Sequence, residues 1–181
     1  MATPDMSRLL GLWRTATLPF VSTGRYRHLD PARVRRLHFV CKGNICRSAY
    51  AEHRARQWGL DATSSGVEAG LAVPADASAK RNALARGVCL DAHSTRPLSS
   101  APIDPGDLLV AMEPWHAGAA RRRVRAAGAQ ITLLGIWHFT GSRIIPDPYG
   151  MPDEAFQACF AQIDDSLRRL AAALRLPLVS A

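Results

Sequence analysis

The stretch VCKGNICRS, Val40 to Ser48, decides the fold of this chain. It joins a β-type run to a helical segment, and within it Cys41 is followed six residues later by Arg47 and then by Ser48. In a doubly wound parallel sheet, the ligand site lies where a strand ends and a helix begins. The stretch therefore predicts an α/β fold whose first strand leads directly into a ligand-binding loop.

The residue types of this loop suit the binding of a tetrahedral oxyanion. Gly43 lets the backbone approach a ligand closely, and Asn44 tolerates a left-handed conformation that turns successive N–H groups inward. At a helix N-terminus such donors bind phosphate and favour the thiolate form of Cys41, while the fork of Arg47 can hold two oxygens. Ser48 can donate its hydroxyl to that thiolate. The loop thus predicts a nucleophilic phosphate site, and the alternative is a buried Cys at a strand end before a capped helix.

Short β-type runs alternate with helical segments from Arg35 onward, which is the pattern of a parallel sheet covered by helices. The last helix is the clearest, because its apolar residues recur at steps of three and four. The predicted strands are Leu37 to Cys41, Ala62 to Val67, Leu108 to Met112 and Ile131 to Trp137, and the predicted helices are Ser48 to Trp58, Asp76 to Arg86 and Glu113 to Ala127. The last helix starts at Pro152 and Asp153, ends before Pro177 and carries the stripe Phe156, Phe160, Ile163, Leu167, Leu170 and Leu174.

The composition indicates one domain with free thiols. A chain of 181 residues that is 48% apolar can bury a sizeable core. Its 4 Cys residues are too few for a secreted disulfide scaffold, and no apolar run is long enough to span a membrane, so we expect a cytoplasmic protein. Of the formal charge of +8, residues 1–40 carry +5 and the remainder only +3. A mildly basic body without a recognisable binding module predicts no nucleic-acid partner.

The first part of the chain differs from the rest. We expect residues 1–33 to form a basic extension, residues 34–176 to form the globular domain and residues 177–181 to be a tail. The extension contains a predicted amphipathic helix followed by an Arg-rich connector. This helix either packs on the domain as an extra layer or holds the protein near anionic lipid, as a peripheral membrane contact. Its apolar face consists of Met6, Leu9, Leu10 and Trp13.

Asp147, in the stretch IPDPYG, is the candidate general acid. An alkoxide or phenoxide displaced from phosphorus needs a proton, since even phenols have a pKa near ~10. Pro148 stiffens the loop, and Tyr149 can form an aromatic wall against a flat substrate. An Asp-Pro pair by itself more often only makes a turn, so the stretch alone leaves both interpretations open.

From residue 35 to about 175 the chain resembles the low-molecular-weight protein tyrosine phosphatase family. The resemblance implies a three-layer sandwich with a four-stranded parallel sheet flanked by helices, and it implies no metal and no cofactor. The motifs that carry it, in family order, are the loop Cys41 to Ser48, SSGV from Ser64 to Val67, PADASA around Asp76, HSTR from His93 to Arg96, DLLVAMEP ending at Pro114, and IPDPYG with Asp147.

The resemblance also implies roles for single residues. It implies that Cys41 is the nucleophile, that Arg47 clamps the phosphate, and that Asp147 is first the general acid and then the base. His93 is expected to support Asn44 through a hydrogen bond rather than to act as a base. The residues expected to bind phosphate or to support the loop are Lys42, Gly43, Asn44, Ile45, Cys46, Ser48 and His93, and Tyr149 is the expected substrate wall.

A finer resemblance concerns the stretch LLGIW, Leu133 to Trp137, which is similar to the bacterial branch linked to capsule and exopolysaccharide production. Members of that branch act on the tyrosine-rich tail of a membrane-associated tyrosine kinase, which makes a phosphotyrosine protein of this kind the implied partner. The chain departs from the family pattern at Lys42, Ala49, Tyr50 and Val67. Lys42 and Tyr50 are expected at the pocket rim, where they bear on substrate preference.

The cysteines outside the nucleophile leave alternatives open. Cys46 is either a redox guard that forms a reversible disulfide with Cys41, as the resemblance implies, or a small apolar filler. Cys89 and Cys159 are expected to be buried filler. The Arg-rich run from Arg121 to Arg125 is either a solvated helix face or a docking surface for acidic tails.

Three rival functions remain beside phosphotyrosine hydrolysis. Thiol-linked arsenate reduction on the same fold needs a relay of further thiols, and Cys89 has no neighbouring Cys in the sequence. A non-catalytic phosphopeptide-binding module does not need Cys41, Arg47 and Asp147 together. Phosphoarginine hydrolysis is disfavoured by Ile45, where the corresponding relatives tend to carry Thr.

Overall fold

A parallel sheet of four strands lies between two layers of helices in the computed structural model, which describes residues 24–179. The strands are β1 (Arg36–Cys41), β2 (Ala62–Gly66), β3 (Asp107–Ala111) and β4 (Gln130–Leu133), in the order β2-β1-β3-β4. The α-helices are α1 (Gly24–Arg27), α2 (Arg47–Gln57), α3 (Ala77–Leu84), α4 (Pro114–Ala127) and α5 (Asp153–Ala173), and short 3₁₀ turns span Pro31–Arg33, Leu98–Ser100 and Leu134–Trp137. The predicted fold class is confirmed.

The central strand β1 is buried on both faces because helices cover the sheet on both sides. Leu37 and Phe39 point into the larger core, which contains residues of α2, α3 and α5. Val40 points the other way and packs with Ala120 and Val124 of α4. Since all four strands run parallel, the carboxyl ends of the neighbours β1 and β3 meet at one edge of the sheet, where the loop after Cys41 lies.

Helix α5 confirms the clearest sequence prediction. All six residues of its apolar stripe are buried, and the helix begins at Asp153 after Pro152. Because each buried large apolar side chain contributes about 1.5–3 kcal/mol, this stripe is a major part of the core. The helix thereby covers the face of the sheet on which Cys41 lies.

The prediction of a strand from Ile131 to Trp137 is wrong in its second half. Strand β4 ends at Leu133, and the residues that follow form a 3₁₀ turn. Gly135 within this turn lies so close to the backbone oxygen of Ser142 that a Cβ atom would overlap it. Trp137 then folds back and donates from Nε1 to Thr132 Oγ1 at 3.0 Å. An apolar run cannot distinguish an extended strand from such a buried turn.

The chain before the domain packs along the free edge of β4. Tyr26 is 5% exposed, and its carbonyl oxygen accepts a hydrogen bond from Thr132 Oγ1 at 2.7 Å. Arg27 donates to the carbonyl of Ile136 at 2.7 Å. The predicted helix with Met6, Leu9, Leu10 and Trp13 lies outside the described residues, and its role remains a prediction. Within residues 24–179 no helix combines the length and apolarity needed to cross a membrane.

Two further sequence expectations meet the structure here. Cys159 is buried as expected, but the expectation of burial is wrong for Cys89, which is exposed beside Asp91. In the Arg-rich run, Val124 is buried, and Arg123 donates to the carbonyls of Ser99 and Ala101. That part of the run therefore belongs to the fold, while Arg121, Arg122 and Arg125 are exposed.

Candidate active site

The loop between Cys41, the last residue of β1, and Arg47, the first residue of α2, sits at the carboxyl edge of the sheet. It packs against Gly66 at the end of β2, where a Cβ atom would lie 2.7 Å from the oxygen of Lys42 and 2.8 Å from the nitrogen of Asn44. Only glycine permits that approach. At Gly43 the nearest atom to such a Cβ is Ile45 Cγ1 at 3.4 Å, so the protein itself leaves room there.

Asn44 organises the loop. Its φ of 57° lies in the left-handed region, as predicted, and its backbone N–H donates to Cys41 Sγ at 3.2 Å. Its side-chain oxygen accepts from the backbone N–H of Arg96, which leaves both amide hydrogens for Ser48 Oγ at 2.9 Å and Ser64 Oγ at 2.7 Å. Asn44 thus connects the loop to β2 and to the segment after α3.

These contacts allow Ser48 to donate a hydrogen bond to Cys41. The two side chains are 3.0 Å apart, between Oγ and Sγ. Because Ser48 Oγ already accepts from Asn44, its own hydrogen is free to point at the sulfur. The sulfur therefore lies where two donors, the Asn44 N–H and the Ser48 O–H, can stabilise a thiolate.

Two residues support Asn44 from behind. His93 makes the predicted hydrogen bond, from Nε2 to the backbone oxygen of Asn44 at 2.7 Å. Ser64 Oγ donates to Glu52 at 2.5 Å, and Glu52 is paired with Arg56 at 2.7 Å. Glu52 was not among the residues predicted from the sequence. Its position one helical turn after Ser48, on the face of α2 that the loop shares, could have indicated it.

Arg47 is 1% exposed and held by three acceptors. Its Nη1 donates to Glu113 at 2.6 Å and to the carbonyl of Ile145 at 2.9 Å, and its Nη2 donates to Asp147 at 2.6 Å. Burial alone lowers its pKa, but the negative charges of Cys41, Asp147 and Glu113 raise the pKa above the ordinary value. The guanidinium is therefore a permanent cation inside the site.

The remaining nitrogen of the Arg47 guanidinium differs from the two Nη atoms. The Nε atom is buried and has no hydrogen-bond partner among the described residues. A buried charged donor without an acceptor is costly, and a bound oxyanion would supply the acceptor. The anchors Glu113 and Ile145 were not among the residues predicted from the sequence. Glu113 follows the end of β3, and such positions at strand ends are candidates for a site in a parallel sheet.

Asp147 lies at the opening of this site. Its side chain is 40% exposed, and its Oδ1 accepts from the backbone N–H of Tyr149 at 3.3 Å. The ring of Tyr149 is exposed at the same opening. The structure thus brings Asp147 onto Arg47, although the two residues are 100 positions apart in the chain.

The other predicted loop residues divide into exposed and buried ones. Lys42 is exposed and lies 3.6 Å from Glu68, between Nζ and Oε2. Ile45 packs against the core with its side chain, and its carbonyl accepts from the backbone N–H of Asp76 at 3.0 Å. Cys46 is buried at the start of α2, and burial, followed by the charge of Asp76, raises the pKa of its thiol.

The expectation that Tyr50 faces the pocket rim is wrong. Its ring is fully buried and stacks on Phe160 with centroids 3.9 Å apart. Its hydroxyl donates to Asp164 at 3.0 Å and accepts from Arg54 and Arg86. Tyr50 therefore joins α2 to α5. Since the loop is followed by a helix, the direction of Tyr50 depends on the rotation of α2, which the motif alone does not define.

The site places a cysteine sulfur beside the side chains of an arginine and an aspartate. No group of three or more His, Cys, Asp or Glu side chains that could hold a metal ion occurs in the described part of the chain. The loop N–H groups, Arg47 and the N-terminus of α2 can bind a tetrahedral anion in front of Cys41 Sγ. Such an arrangement is suited to nucleophilic displacement at phosphorus.

Comparisons with known proteins agree with this geometry. Residues 36–177 match the family model described as low molecular weight phosphotyrosine protein phosphatase. The chain is 33% identical to the low molecular weight protein-tyrosine-phosphatase Wzb of Salmonella typhi over 137 residues, which are 75% of this chain and 91% of that protein.

Solved structures were found to be similar as well. The tyrosine phosphatase Wzb from Escherichia coli K30 in complex with sulphate is 32% identical, with a TM-score of 0.65 over 77% of this chain and 97% of that one. The YwlE arginine phosphatase from Geobacillus stearothermophilus is 26% identical, with a TM-score of 0.66 over 78% of this chain and 93% of that one.

Proposed function

The chain belongs to the low molecular weight phosphotyrosine protein phosphatase family, and from this premise we propose that it hydrolyses phosphotyrosine in proteins through a cysteinyl-phosphate intermediate. The observation that carries the proposal is the arrangement around Cys41. Its sulfur accepts from Asn44 and lies 3.0 Å from Ser48, at the N-terminus of the helix that begins with Arg47. These groups stabilise the negative charge of the nucleophile and of the phosphate that it attacks.

The first step transfers the phosphoryl group to sulfur. The Cys41 thiolate attacks phosphorus, the bond between phosphorus and the phenolic oxygen breaks, and Asp147 gives its proton to that oxygen. In this structure Asp147 is paired with Arg47 Nη2. A phosphate that binds Arg47 through Nε and Nη2 competes with Asp147 for Nη2, while Glu113 and Ile145 keep Nη1 in place. Substrate binding therefore releases Asp147 from the Arg47 cation, and the released carboxylate takes up a proton from solvent, which it then gives to the leaving oxygen.

The second step hydrolyses the intermediate. Asp147, now a carboxylate, accepts a proton from a water molecule that attacks phosphorus, and the bond between phosphorus and sulfur breaks. The sulfur leaves as a thiolate, which the Ser48 hydroxyl and the Asn44 N–H stabilise. Inorganic phosphate departs, and the thiolate is regenerated. The same two donors thus serve the attack and the departure of sulfur.

The aromatic character of the opening favours tyrosine as the substrate residue. The exposed ring of Tyr149 stands next to Asp147, where a phenyl phosphate can stack on it. One relative of known structure is named an arginine phosphatase, but the residue after Asn44 is Ile45, which disfavours that activity. Thiol-linked arsenate reduction is disfavoured because Cys89 has no neighbouring Cys in the sequence and Cys159 is a buried thiol, whose pKa burial raises.

The partner and compartment follow from the same chemistry. We infer that the physiological substrate is a phosphotyrosine protein of the bacterial cell, such as a membrane-associated tyrosine kinase of exopolysaccharide production. A nucleophile that must remain a reduced thiolate works best in a reducing compartment, which supports a cytoplasmic location.

The test compares Cys41→Ser with the wild type on p-nitrophenyl phosphate and on phosphotyrosine and phosphoarginine peptides. We expect the substitution to abolish turnover while vanadate and phosphate binding survives, because Asn44, Ser48 and Arg47 remain. Cys89→Ser is the matched control, since Cys89 is exposed and outside the loop. Substantial activity in Cys41→Ser would contradict the covalent mechanism, and preference for the phosphoarginine peptide would contradict the substrate assignment.

A further inference from the structure

His116 is a buried imidazole that the proposed mechanism does not use. It lies in the first turn of α4 and is 0% exposed. Neither of its ring nitrogens has a hydrogen-bond partner among the described residues. Nearly all buried polar side-chain groups in proteins are hydrogen-bonded, so an unpartnered one next to an active site calls for a functional explanation.

Its nearest acidic neighbour is the anchor of Arg47. His116 Nε2 lies 4.0 Å from Glu113 Oε1, and this same oxygen accepts the 2.6 Å hydrogen bond from Arg47 Nη1. A separation of 4.0 Å is too long for a hydrogen bond, whose usual length is about 2.7–3.2 Å. The ring also contacts Trp115, with centroids 4.0 Å apart. The imidazole is therefore held about 1 Å short of a bond to Glu113.

The ring is neutral at neutral pH. Burial, and after it the charge of Arg47, lowers the pKa of His116 to about 3. A neutral imidazole carries one N–H donor and one acceptor nitrogen. It can therefore donate to a carboxylate without introducing a second positive charge that would compete with Arg47 for Glu113.

Phosphate binding changes the strength of the ion pair between Arg47 and Glu113. In the proposed mechanism the guanidinium of Arg47 shares its positive charge with a phosphate dianion, which weakens its attraction for Glu113. The Glu113 side chain is 22% exposed, so packing does not enclose it on every side. We propose that His116 is a positioning residue that donates a hydrogen bond to Glu113 when phosphate binds Arg47, and that it thereby stabilises the phosphate-bound arrangement of Arg47. This inference rests on the proposed phosphate site but not on which phosphomonoester is the substrate.

The test measures binding of inorganic phosphate by calorimetry, without turnover. His116→Leu removes the donor, and His116→Gln keeps an N–H near the position of Nε2. Since a hydrogen bond to a charged group is commonly worth a factor of about 10 or more in an equilibrium constant, we expect His116→Leu to raise the Kd about tenfold and His116→Gln to raise it less. In a Glu113→Gln background, where the carboxylate is absent, His116→Leu should have almost no further effect.

The double-substitution comparison separates this role from a merely structural one. Equal weakening by His116→Leu in both backgrounds, or no weakening in the native background, would overturn the proposal. A second measurement does not depend on whether the variants fold. In wild-type protein with ¹⁵N-labelled histidine, saturating phosphate should make one ring N–H of His116 exchange slowly with water and shift downfield.

An unchanged His116 signal in the phosphate-saturated protein would likewise reject the proposal. Failure of the proposed hydrolysis would give results that differ from failure of the His116 proposal. In that case phosphate still binds and the His116 signal still responds, but p-nitrophenyl phosphate and phosphotyrosine peptides are not turned over. Absence of any phosphate binding to the wild type would reject both proposals together.

Discussion

Replacing Asp147 by Asn should change catalysis and phosphate binding in opposite directions. The substitution removes the proton that the leaving group needs, and it also removes the carboxylate that occupies Arg47 Nη2 at 2.6 Å. A side chain that acts only as an acid would affect catalysis alone. If Asp147 only stabilised a turn, its substitution would not lower catalysis and raise the affinity for phosphate together. The two contacts of Asp147 therefore make separate, measurable predictions.

The expected loss in catalysis depends on the leaving group. General acid catalysis commonly contributes ~10²–10⁴-fold, and it matters most when the departing oxygen is basic. We expect kcat/KM for phenyl phosphate or phosphotyrosine, which reports the transfer of the phosphoryl group to sulfur, to fall by a factor in this range. For p-nitrophenyl phosphate, whose leaving group is a much weaker base, the fall should be far smaller. Plotting log kcat/KM against leaving-group pKa should therefore give a steeper slope for Asp147→Asn than for the wild type.

The expected gain in phosphate affinity follows from the ion pair. The Asp147 side chain is 40% exposed, so solvent screens its ion pair with Arg47. The interaction free energy of such a screened pair is about 1 kcal/mol. Freeing Nη2 from this competitor should lower the Kd of inorganic phosphate about fivefold, since 1.4 kcal/mol corresponds to tenfold.

Competitive inhibition by phosphate across a series of aryl phosphates measures both quantities in one assay. Asp104→Asn is the matched control, because it removes the same charge at the opposite, amino end of β3. An equal loss of kcat/KM across the series would remove Asp147 from the acid role. Weaker phosphate binding in Asp147→Asn would show that the contact with Arg47 supports the site rather than competing for it.

Three further predictions follow from other parts of the chain. Mild peroxide should oxidise the Cys41 thiolate to a sulfenic acid, which then condenses with the Cys46 thiol to give a disulfide and water. Because burial raises the pKa of Cys46, the rate of disulfide formation should increase with pH. Mass spectrometry that finds only sulfinic or sulfonic Cys41 would reject the guard role. Burial lowers the pKa of His38 to about 4, so the folded state binds this proton less readily than the unfolded state does. The free energy of unfolding should therefore fall by roughly 3 kcal/mol as the pH drops from about 6.5 to about 4. Urea unfolding should show a smaller fall in His38→Gln, and an equal fall in both proteins would assign the pH dependence to other groups. Deleting residues 1–33 removes the buried Tyr26 and its contacts with β4, so Tm should fall further than on deletion of residues 1–23. Hydrolysis of p-nitrophenyl phosphate should persist in both truncated proteins. A folded but inactive truncated protein would show that the segment contributes to catalysis.

The sequence was sufficient for the features that depend on residues close together in the chain. The order strand, loop, helix around Cys41 and the left-handed Asn44 follow from local preferences and spacing. The stripe on α5 follows from helical periodicity, because one face of a long helix must be buried. These features use short-range geometry, which the amino acids encode directly.

The boundaries and directions that the sequence did not predict depend on packing. The apolar run after Thr132 leaves the sheet because Gly135 fits beneath the segment at Ser142. Tyr50 turns into the core because α2 presents that face to α5. In both cases the same residues are compatible with another local structure, and the neighbours that exclude it are distant in the chain.

The working site is likewise a product of the tertiary structure. The motif identifies Cys41 and Arg47, but the partners of Arg47 are Glu113, Ile145 and Asp147, which lie 66, 98 and 100 positions away. Parallel strands bring these segments to one edge of the sheet, whatever their separation in sequence. The sequence alone therefore determined which groups are able to bind and attack a phosphate. Only the folded chain determined how Arg47 is held and what competes for it, because hydrogen bonds and ion pairs act over a few ångströms of space and not along the chain.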